Sequence, residues 1–508
     1  MFAIFPVVFL FSENIAEVPF SEILTLLLIA LGLTLLLFLA FGLLFRNNQK
    51  TGILVSLILI LFSTYGRAFD GVEKWRIGSM VLGGRHGYLL SAWGLLFILG
   101  AYFTVKTRIR LRNLTKIMNV AAASLIAISL LNIGTYEFKE KFFWRGDVSV
   151  GNKELHAPEP GKTAGLRDIY YIILDEYAGF GTLKEVYGYD NREFAGYLVK
   201  KGFYIAYNSR SNYGMTFLSL ASSLNMEYLD PVAGIVGVDS LDRRIPSDMI
   251  QNSKVSKFLR SKGYKFINFR SGWGATGRNA YADLDVECGK LDEFQKVLIQ
   301  TTILRPLEQY FVENESRTRI LRTFSKLAEV HKIKGPKFVF AHIVCPHGPF
   351  VFGVNGEPVS GTELAILSYM SVSEKPYLDQ LIAISKKAEI LVDDILAGSE
   401  TPPIIIVQSD HGPDSTFTDH AGDWGEHPTG KNIRERFGIL NAYYLPSGGK
   451  DLLYDSITPV NTFRAIFNRY FNMAEKLLPD RSFYSTYTRP YKFTDVSATP
   501  RLLSVPNR

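Results

Sequence analysis

Three apolar runs in this 508-residue chain end by delivering titratable side chains. "YYIILDEYAG" closes on Asp175 and Glu176, "FVFAHIVCPHGPF" carries His342 and His347, and "IIIVQSDHGPD" closes on Asp410 and His411. Each run is rich in β-branched and aromatic residues and reads as a buried strand. Burying an aspartate beside a histidine is costly unless a partner offsets the lost hydration. If the three strands run parallel, their ends share one rim. Two carboxylates and an imidazole converging there make a site for a hard-to-borderline divalent cation, Zn or Mn before Mg or Ca. Gly412 would free the backbone to turn away from such ligands. Taken singly, each piece has a plainer reading: a strand-end Asp forms a cap or turn, and a His among prolines is structural.

A metal site needs something to activate. "SNYGMTFLSLASSLNMEYL" is dense in hydroxyls and opens on the turn formers Asn212, Tyr213 and Gly214 before a helical stretch from Phe217 to Leu224. Thr216 falls at the start of that helix, where backbone N–H groups and the dipole favour an anion. A cation-bound hydroxyl there becomes a nucleophile. The competing reading makes Thr216 an ordinary N-cap.

Strand candidates are Ile169 to Leu174, Tyr264 to Phe269, Lys337 to Ile343, Ile404 to Val407 and Gly438 to Leu445. Between and after them lie helix candidates Arg192 to Lys201, Ser253 to Ser261, Leu291 to Phe311, Tyr377 to Leu396 and Pro459 to Tyr470. This alternation predicts an α/β sandwich with a mainly parallel central sheet over residues 167–475, where ligands gather beyond the carboxyl ends of the strands. Residues 137–166 read as a charged, Pro/Gly-bearing linker, and 476–508 as a loose polar tail.

Residues 1–136 are of another kind. Ile23 to Phe45, Thr51 to Gly66, Gly87 to Val105 and Ile117 to Tyr136 are apolar runs suited to membrane helices, and Phe2 to Phe11 is a short fifth. About five spans are expected. Arg46 and Lys50 lie in one connecting loop, and Lys106, Arg108, Arg110, Arg112 and Lys116 in another, so the positive-inside rule puts both loops in the cytoplasm and everything after about residue 137 outside. These seven basic residues match the formal charge of +7, which therefore gives no ground for nucleic-acid binding. Cys288 and Cys345, the two cysteines, could pair outside the cell or stay as buried thiols.

The order of a strand-end acid, a helix-start Thr, a Pro-flanked His and a late Ser-Asp-His-Gly resembles the alkaline phosphatase and sulfatase superfamily. With apolar spans ahead of an outside domain, it is most similar to the membrane-anchored branch, which includes lipoteichoic acid synthases and phosphoethanolamine transferases. The likeness covers about residues 168–450, and the spans extend it over the first 136. Its most specific parts are Asp-His-Gly and Thr-x-x-Ser-Leu-Ala-Ser, here Thr216 to Ser222. The resemblance implies Thr216 as nucleophile, with Asp175, Thr216, Asp410 and His411 holding one divalent ion. It places His347, Asn212 and His427 on the substrate side, and Arg436 is expected as a surface charge. Lipoteichoic acid synthases carry a Glu as first ligand; Asp175 is preferred here over Glu176 because it directly follows Ile172-Ile173-Leu174.

Sulfatases oxidise a Cys or Ser of a Cys/Ser-x-Pro-x-Arg motif to formylglycine. The only match, Ser504-Val-Pro-Asn-Arg508, stands at the end of the chain and is a chance hit. The resemblance therefore implies a membrane-anchored transferase that moves a phosphoglycerol- or phosphoethanolamine-type group from a lipid donor to a glycan or lipid acceptor through a phospho-threonine. Its setting would be the inner or plasma membrane, with the catalytic domain outside. The alternatives are a sulfatase-like hydrolase or phosphodiesterase, and a non-catalytic scaffold in envelope assembly.

Overall fold

The computed structural model describes all residues except 16–17, 19, 73–75, 78–79, 82–85, 108–110, 144–165, 309–313, 360–373, 418–424 and 501–508. The chain forms two compact units, one of Met1–Ser149 with Glu293–Val312 and one of Val150–Asp292 with Glu313–Arg508.

In the first unit the apolar runs form the helices α2 (Phe20–Phe45), α3 (Asn48–Val72), α4 (His86–Lys106) and α5 (Arg112–Phe143). These four are long and apolar enough to cross a membrane. Their side chains explain why: Leu28, Leu35, Leu36, Leu96 and Leu131 are exposed, an arrangement that water penalises and lipid favours. The short first run is a different case. It folds as α1 (Phe5–Glu13), whose nine residues rise only about 14 Å, roughly half a hydrocarbon core. Among the described residues, the five apolar runs thus form four long helices and one short one.

In the second unit, seven described strands form one sheet in the order 204–205, 441–444, 404–408, 169–174, 337–343, 265–269, 284–286. Strand Ile169–Leu174 is central, parallel to Lys337–Ile343 on one side and to Ile404–Gln408 on the other. Asn441–Tyr444 runs antiparallel to Ile404–Gln408. All three central strands are buried along their whole length, as expected for a parallel sheet covered on both faces, which is why their sequences are continuous apolar runs rather than alternating ones. The register pairs Ile173 with both His342 and Gln408. Asp175, His342 and Asp410 therefore emerge within a residue or two of each other on one rim.

Two expectations change. Leu291–Phe311, expected as a helix of the outer domain, is instead a helix at Glu293–Thr301 and a 3-10 turn at Arg305–Leu307 that belong with the membrane unit. The tail is not loose: Phe483–Thr486 and Arg489–Asp495 pair as a hairpin. Tyr213 packs on its Phe483 and Phe493 at 5.6 and 5.0 Å between ring centroids, a large apolar contact that the polar tail composition hid. Cys288 and Cys345 are free and buried, which settles the thiol question.

Because both native thiols are buried, single engineered cysteines report topology cleanly. A membrane-impermeant maleimide should label Glu400→Cys on intact cells and Lys50→Cys only after permeabilisation; the reverse pattern would invert the orientation.

Candidate metal centre

Asp175 continues the central ladder, its N–H donating to Ile343 O at 3.0 Å, so its carboxylate projects from the sheet rim. Asp410 follows Ser409 on the neighbouring strand end. The Ser409 hydroxyl donates to His411 O at 2.6 Å and accepts from Tyr177 N–H at 2.9 Å, which fixes the turn. Gly412 serves through close approach rather than an unusual turn: a Cβ there would lie 2.0 Å from Glu435 O. From the third strand, His342 supplies an imidazole. Asp175, His342 and Asp410 are all buried, and one ligand atom from each lies within 4.8 Å of the others.

The second half of the cluster comes from the helix Thr216–Asn225, every residue of which is buried. Met215 is its N-cap, so Thr216 is not the cap. Its hydroxyl instead lies 2.9 Å from His411 Nε2. His411 Nδ1 lies 3.1 Å from Gly412 O, a carbonyl that can only accept, so the ring proton sits on Nδ1 and Nε2 presents a lone pair. That lone pair is 3.2 Å from Asp410 Oδ2 and 3.9 Å from Asp175 Oδ1. His342 Nδ1 meets Thr276 Oγ1 at 2.8 Å, while Nε2 faces Asp175 Oδ2 at 3.4 Å. Among the described residues, Asp175 Oδ1, Asp410 Oδ2 and His342 Nε2 are buried polar atoms with no hydrogen-bond partner.

Electron pairs that face one another in a dry pocket repel unless a proton or a cation stands between them. The titration behaviour says the same. Burial pushes Asp410 up to about 7, and the Asp175 carboxylate pushes in the same direction. Asp175 resists its own burial: His347, His342 and His411 together hold it below the ordinary carboxylate range. Burial and then Arg436 drive His411 well below its ordinary value, so its ring is neutral and able to ligate. Oxygen and nitrogen donors of this kind fit a divalent cation of the Zn or Mn class.

Arg436, expected at the surface, is 1% exposed. It donates to Gly214 O at 2.7 Å, to Gly412 O at 2.8 Å and to Glu176 Oε1 at 2.8 Å, tying the Thr216 loop, the Asp-His turn and the second acid together. Helical spacing could have found it. In the helix Gly430–Phe437 it neighbours the buried Ile433, Glu435 and Phe437, so its side chain points inward. Glu176 itself takes a left-handed backbone, φ 61°, and its N–H faces Asp410 Oδ1 at 3.4 Å.

The structure thus gathers Asp175, Thr216, Asp410 and His411, and adds His342, which the sequence marked as a strand end but not as a ligand. His347 stands beside them. Its Nε2 is 4.0 Å from Glu176 Oε1 and its side chain is half-exposed. Burial would lower it, but Glu176 and Asp175 raise it to about 9, so it carries a proton at neutral pH. Asn212 is fully buried elsewhere in the shell: its amide donates to Arg481 O and accepts from Val460 N–H, both at 2.8 Å. His427 is exposed, next to Glu426. Neither Asn212 nor His427 joins the contacts described above. The Ser504–Arg508 motif lies outside the described residues.

No protein-family model and no curated protein matches the chain. Among solved structures it is similar to the periplasmic domain of EcEptC from Escherichia coli in complex with Zn, at 14% identity over 68% of this chain and 96% of that one, TM-score 0.45. The integral membrane lipooligosaccharide phosphoethanolamine transferase A of Neisseria meningitidis aligns at 12% identity over 91% of this chain and 92% of that one, TM-score 0.36. A putative sulfatase, yidJ, from Bacteroides fragilis aligns at 14% identity over 66% and 83%, TM-score 0.36.

The two acids set a pH test. Without a cation, folded Asp410 binds its proton up to about pH 7, against an ordinary value of 3.8. The stability it contributes is complete below the unfolded value and is lost as pH rises through that window. Asp175, held low, acts only at more acid pH, and His347 only above its own ordinary value. His411, held well below its ordinary value, adds an opposite slope below about pH 6.5. The Asp410 contribution is therefore read by difference: relative to Asp410→Asn, the Tm of chelated wild-type protein should fall as pH rises from about 5 to about 6.5, and adding Zn or Mn should remove that fall. A slope unchanged by both the substitution and the metal would show that the acids do not share one cation site.

Proposed function

We propose that this chain is a membrane-anchored, metal-dependent transferase that moves a phospho-head-group from a lipid to an envelope glycan or lipid, with its catalytic domain outside the cytoplasm. The observation that carries this reading is the buried Thr216 hydroxyl, at the start of a helix and 2.9 Å from His411 Nε2, facing an acid-histidine cluster whose inward lone pairs lack partners. Asp175, Asp410, His342 and His411 would hold the ion. When bound, a divalent cation lowers the pKa of a neighbouring hydroxyl and stabilises charge on transferring oxygens.

The chain's own groups account for the rest. Thr216 Oγ, its proton given up to solvent beforehand, attacks phosphorus as the alkoxide, forming the P–O bond of a phospho-threonine as the bond to the lipid alcohol breaks. Thr216 is released as the same alkoxide in the second step. The helix N-terminus presents N–H groups to the oxygens of that phosphate. Protonated His347, half-exposed at the edge of the cluster, gives its proton to the departing alkoxide. An acceptor hydroxyl then returns that proton to His347 as it attacks phosphorus and frees Thr216. The four apolar helices support a lipid donor, because a lipid headgroup is reached only by an enzyme held at the membrane. A hydrolase differs only in taking water as acceptor, so the two readings separate on the fate of the adduct.

Purified protein incubated with membrane lipids should gain, by intact mass, the mass of one phospho-head-group, mapped to Thr216 by fragmentation. Thr216→Ala should abolish both the adduct and turnover, and persistence of metal-dependent turnover in that variant would overturn the covalent route. Replacing His347 by Gln should lower turnover by about 100-fold or more for donors with poor leaving groups, and far less for an aryl phosphodiester whose phenolate needs no proton. An equal loss for both donors would assign His347 to binding instead of proton transfer.

A further inference from the structure

Residues 293–308 lie, in sequence, in the middle of the outer domain, yet they fold with the membrane helices. The helix Glu293–Thr301 turns Phe294, Val297 and Leu298 to one side, an i, i+3, i+4 stripe. Phe294 is buried against Val7, Leu10 and Phe11 of α1 and Ile23 of α2, with Leu26, Leu27, Ile133, Val297 and Leu298 packed around them. The following residues press on α3. A Cβ at Gly66 would lie 2.0 Å from Gln300 O and 2.7 Å from Thr301 Cα, so only glycine admits the segment at that point. Ile303 N–H donates to Phe62 O at 2.8 Å.

Arg305 closes the contact. Its side chain is 6% exposed and donates to Gly66 O at 2.9 Å and Asp70 Oδ1 at 2.5 Å. Its guanidinium lies 4.7 Å from the Phe69 ring, on which His86 stacks at 4.1 Å. Tyr65, fully buried, holds His86 Nδ1 at 2.9 Å.

The partners are informative. Ile23 to Leu27 begin α2, Phe62 to Asp70 end α3, His86 begins α4 and Ile133 lies toward the end of α5. The loop charges assign every one of these helix ends to the outer side. A segment flanked on both sides by outer-domain sequence can reach only that side. Loop charge and packing are independent observations, and they agree.

We propose that residues 293–308 are a clasp: a second anchor of the outer domain, seated non-covalently on the outward ends of α1, α2 and α3. The chain thereby passes between the two units at three places, near residues 149, 293 and 312, rather than once. A single cut in the 144–165 connection leaves the outer domain attached to the membrane through the clasp. The partner is the chain's own membrane unit, and the proposal stands whether or not the outer domain is a transferase.

The test uses the full-length protein in membranes, with a site-specific protease sequence inserted after Gly161. After complete cleavage and a high-salt wash, the fragment carrying residues 162–508 should stay in the membrane pellet. Release into the supernatant would overturn the proposal. Arg305→Asp should release the cleaved fragment, and Asp70→Arg in the same chain should restore retention. A retained Arg305→Asp fragment would refute the assigned contact. The released fragment is then added to protein-free vesicles of the same lipids. No binding is expected, and binding would show that lipid, not the membrane helices, holds the domain. Zn- or Mn-induced stabilisation of the released fragment confirms that it remains folded.

Discussion

Everything around the rim of the central sheet follows from one constraint, the mutual repulsion of inward-facing lone pairs on Asp175, Asp410, His342 and His411. Among the described residues, Asp175 Oδ1, Asp410 Oδ2 and His342 Nε2 have no hydrogen-bond partner, whereas His411 Nε2 faces the Thr216 hydroxyl and Arg436 Nη2; the outer atoms of His342, His411 and Asp410 are held by the protein. Thr276 takes His342 Nδ1, Gly412 O takes His411 Nδ1 and the Glu176 N–H approaches Asp410 Oδ1. This division of labour orients ligands before any ion arrives, as second-layer contacts do in metal proteins. Without an ion the cluster relieves itself by keeping a proton on Asp410, which is why that carboxyl rises while its neighbour falls.

A buried arginine beside a cation site looks at first like a conflict, since Arg436 adds positive charge where a metal would sit. Its contacts offset part of that charge: Arg436 donates to two backbone carbonyls and to Glu176, the acid that does not face the inner cluster, while its Nη2 also lies 3.3 Å from His411 Nε2. Asp175 and Glu176 are adjacent in sequence yet do different work because Glu176 adopts a left-handed backbone, which turns its side chain away from Asp175 and toward Arg436 and His347. The choice between the two acids that the sequence left to a register argument is made by that one dihedral.

Much of this was legible in the sequence because parallel strands announce themselves twice, by continuous apolar runs and by the chemistry at their carboxyl ends. Asp175, Asp410 and His411 came from that pattern, and Thr216 from a hydroxyl at the start of a helix. His342 was visible but undervalued, because it lies inside its strand and not after it; only the register opposite Ile173 shows that it reaches the rim. Arg436 was missed because charge argues for the surface unless helical spacing is weighed against it. Asn212 was placed on the substrate side, whereas Arg481 of the folded tail and Val460 of the helix Pro459–Tyr470 engage the two ends of its amide, contacts across more than 200 residues that no local pattern encodes. The placement of residues 293–308 was hidden for the same reason. Their helical period was plain, but a stripe of Phe294, Val297 and Leu298 does not say which core it completes.

The carbon skeleton of the nucleophile bears on which ester the site can process. Oxidation of a Cys or Ser side chain gives an aldehyde, whose hydrate can attack sulfur and later expel sulfate by returning to the aldehyde. Thr216 carries a methyl group on its Cβ, so the same oxidation would give a ketone, which hydrates poorly and lacks that route. On the proposed reading, Thr216 would attack as an alkoxide and leave an ester that a second nucleophile at phosphorus removes. Such an intermediate must wait for its acceptor. The whole Thr216–Asn225 helix is buried, and Tyr213 just before it packs on the folded hairpin. On the proposed reading, this sheet rim would hold a phosphoryl group on Thr216 until an acceptor takes it.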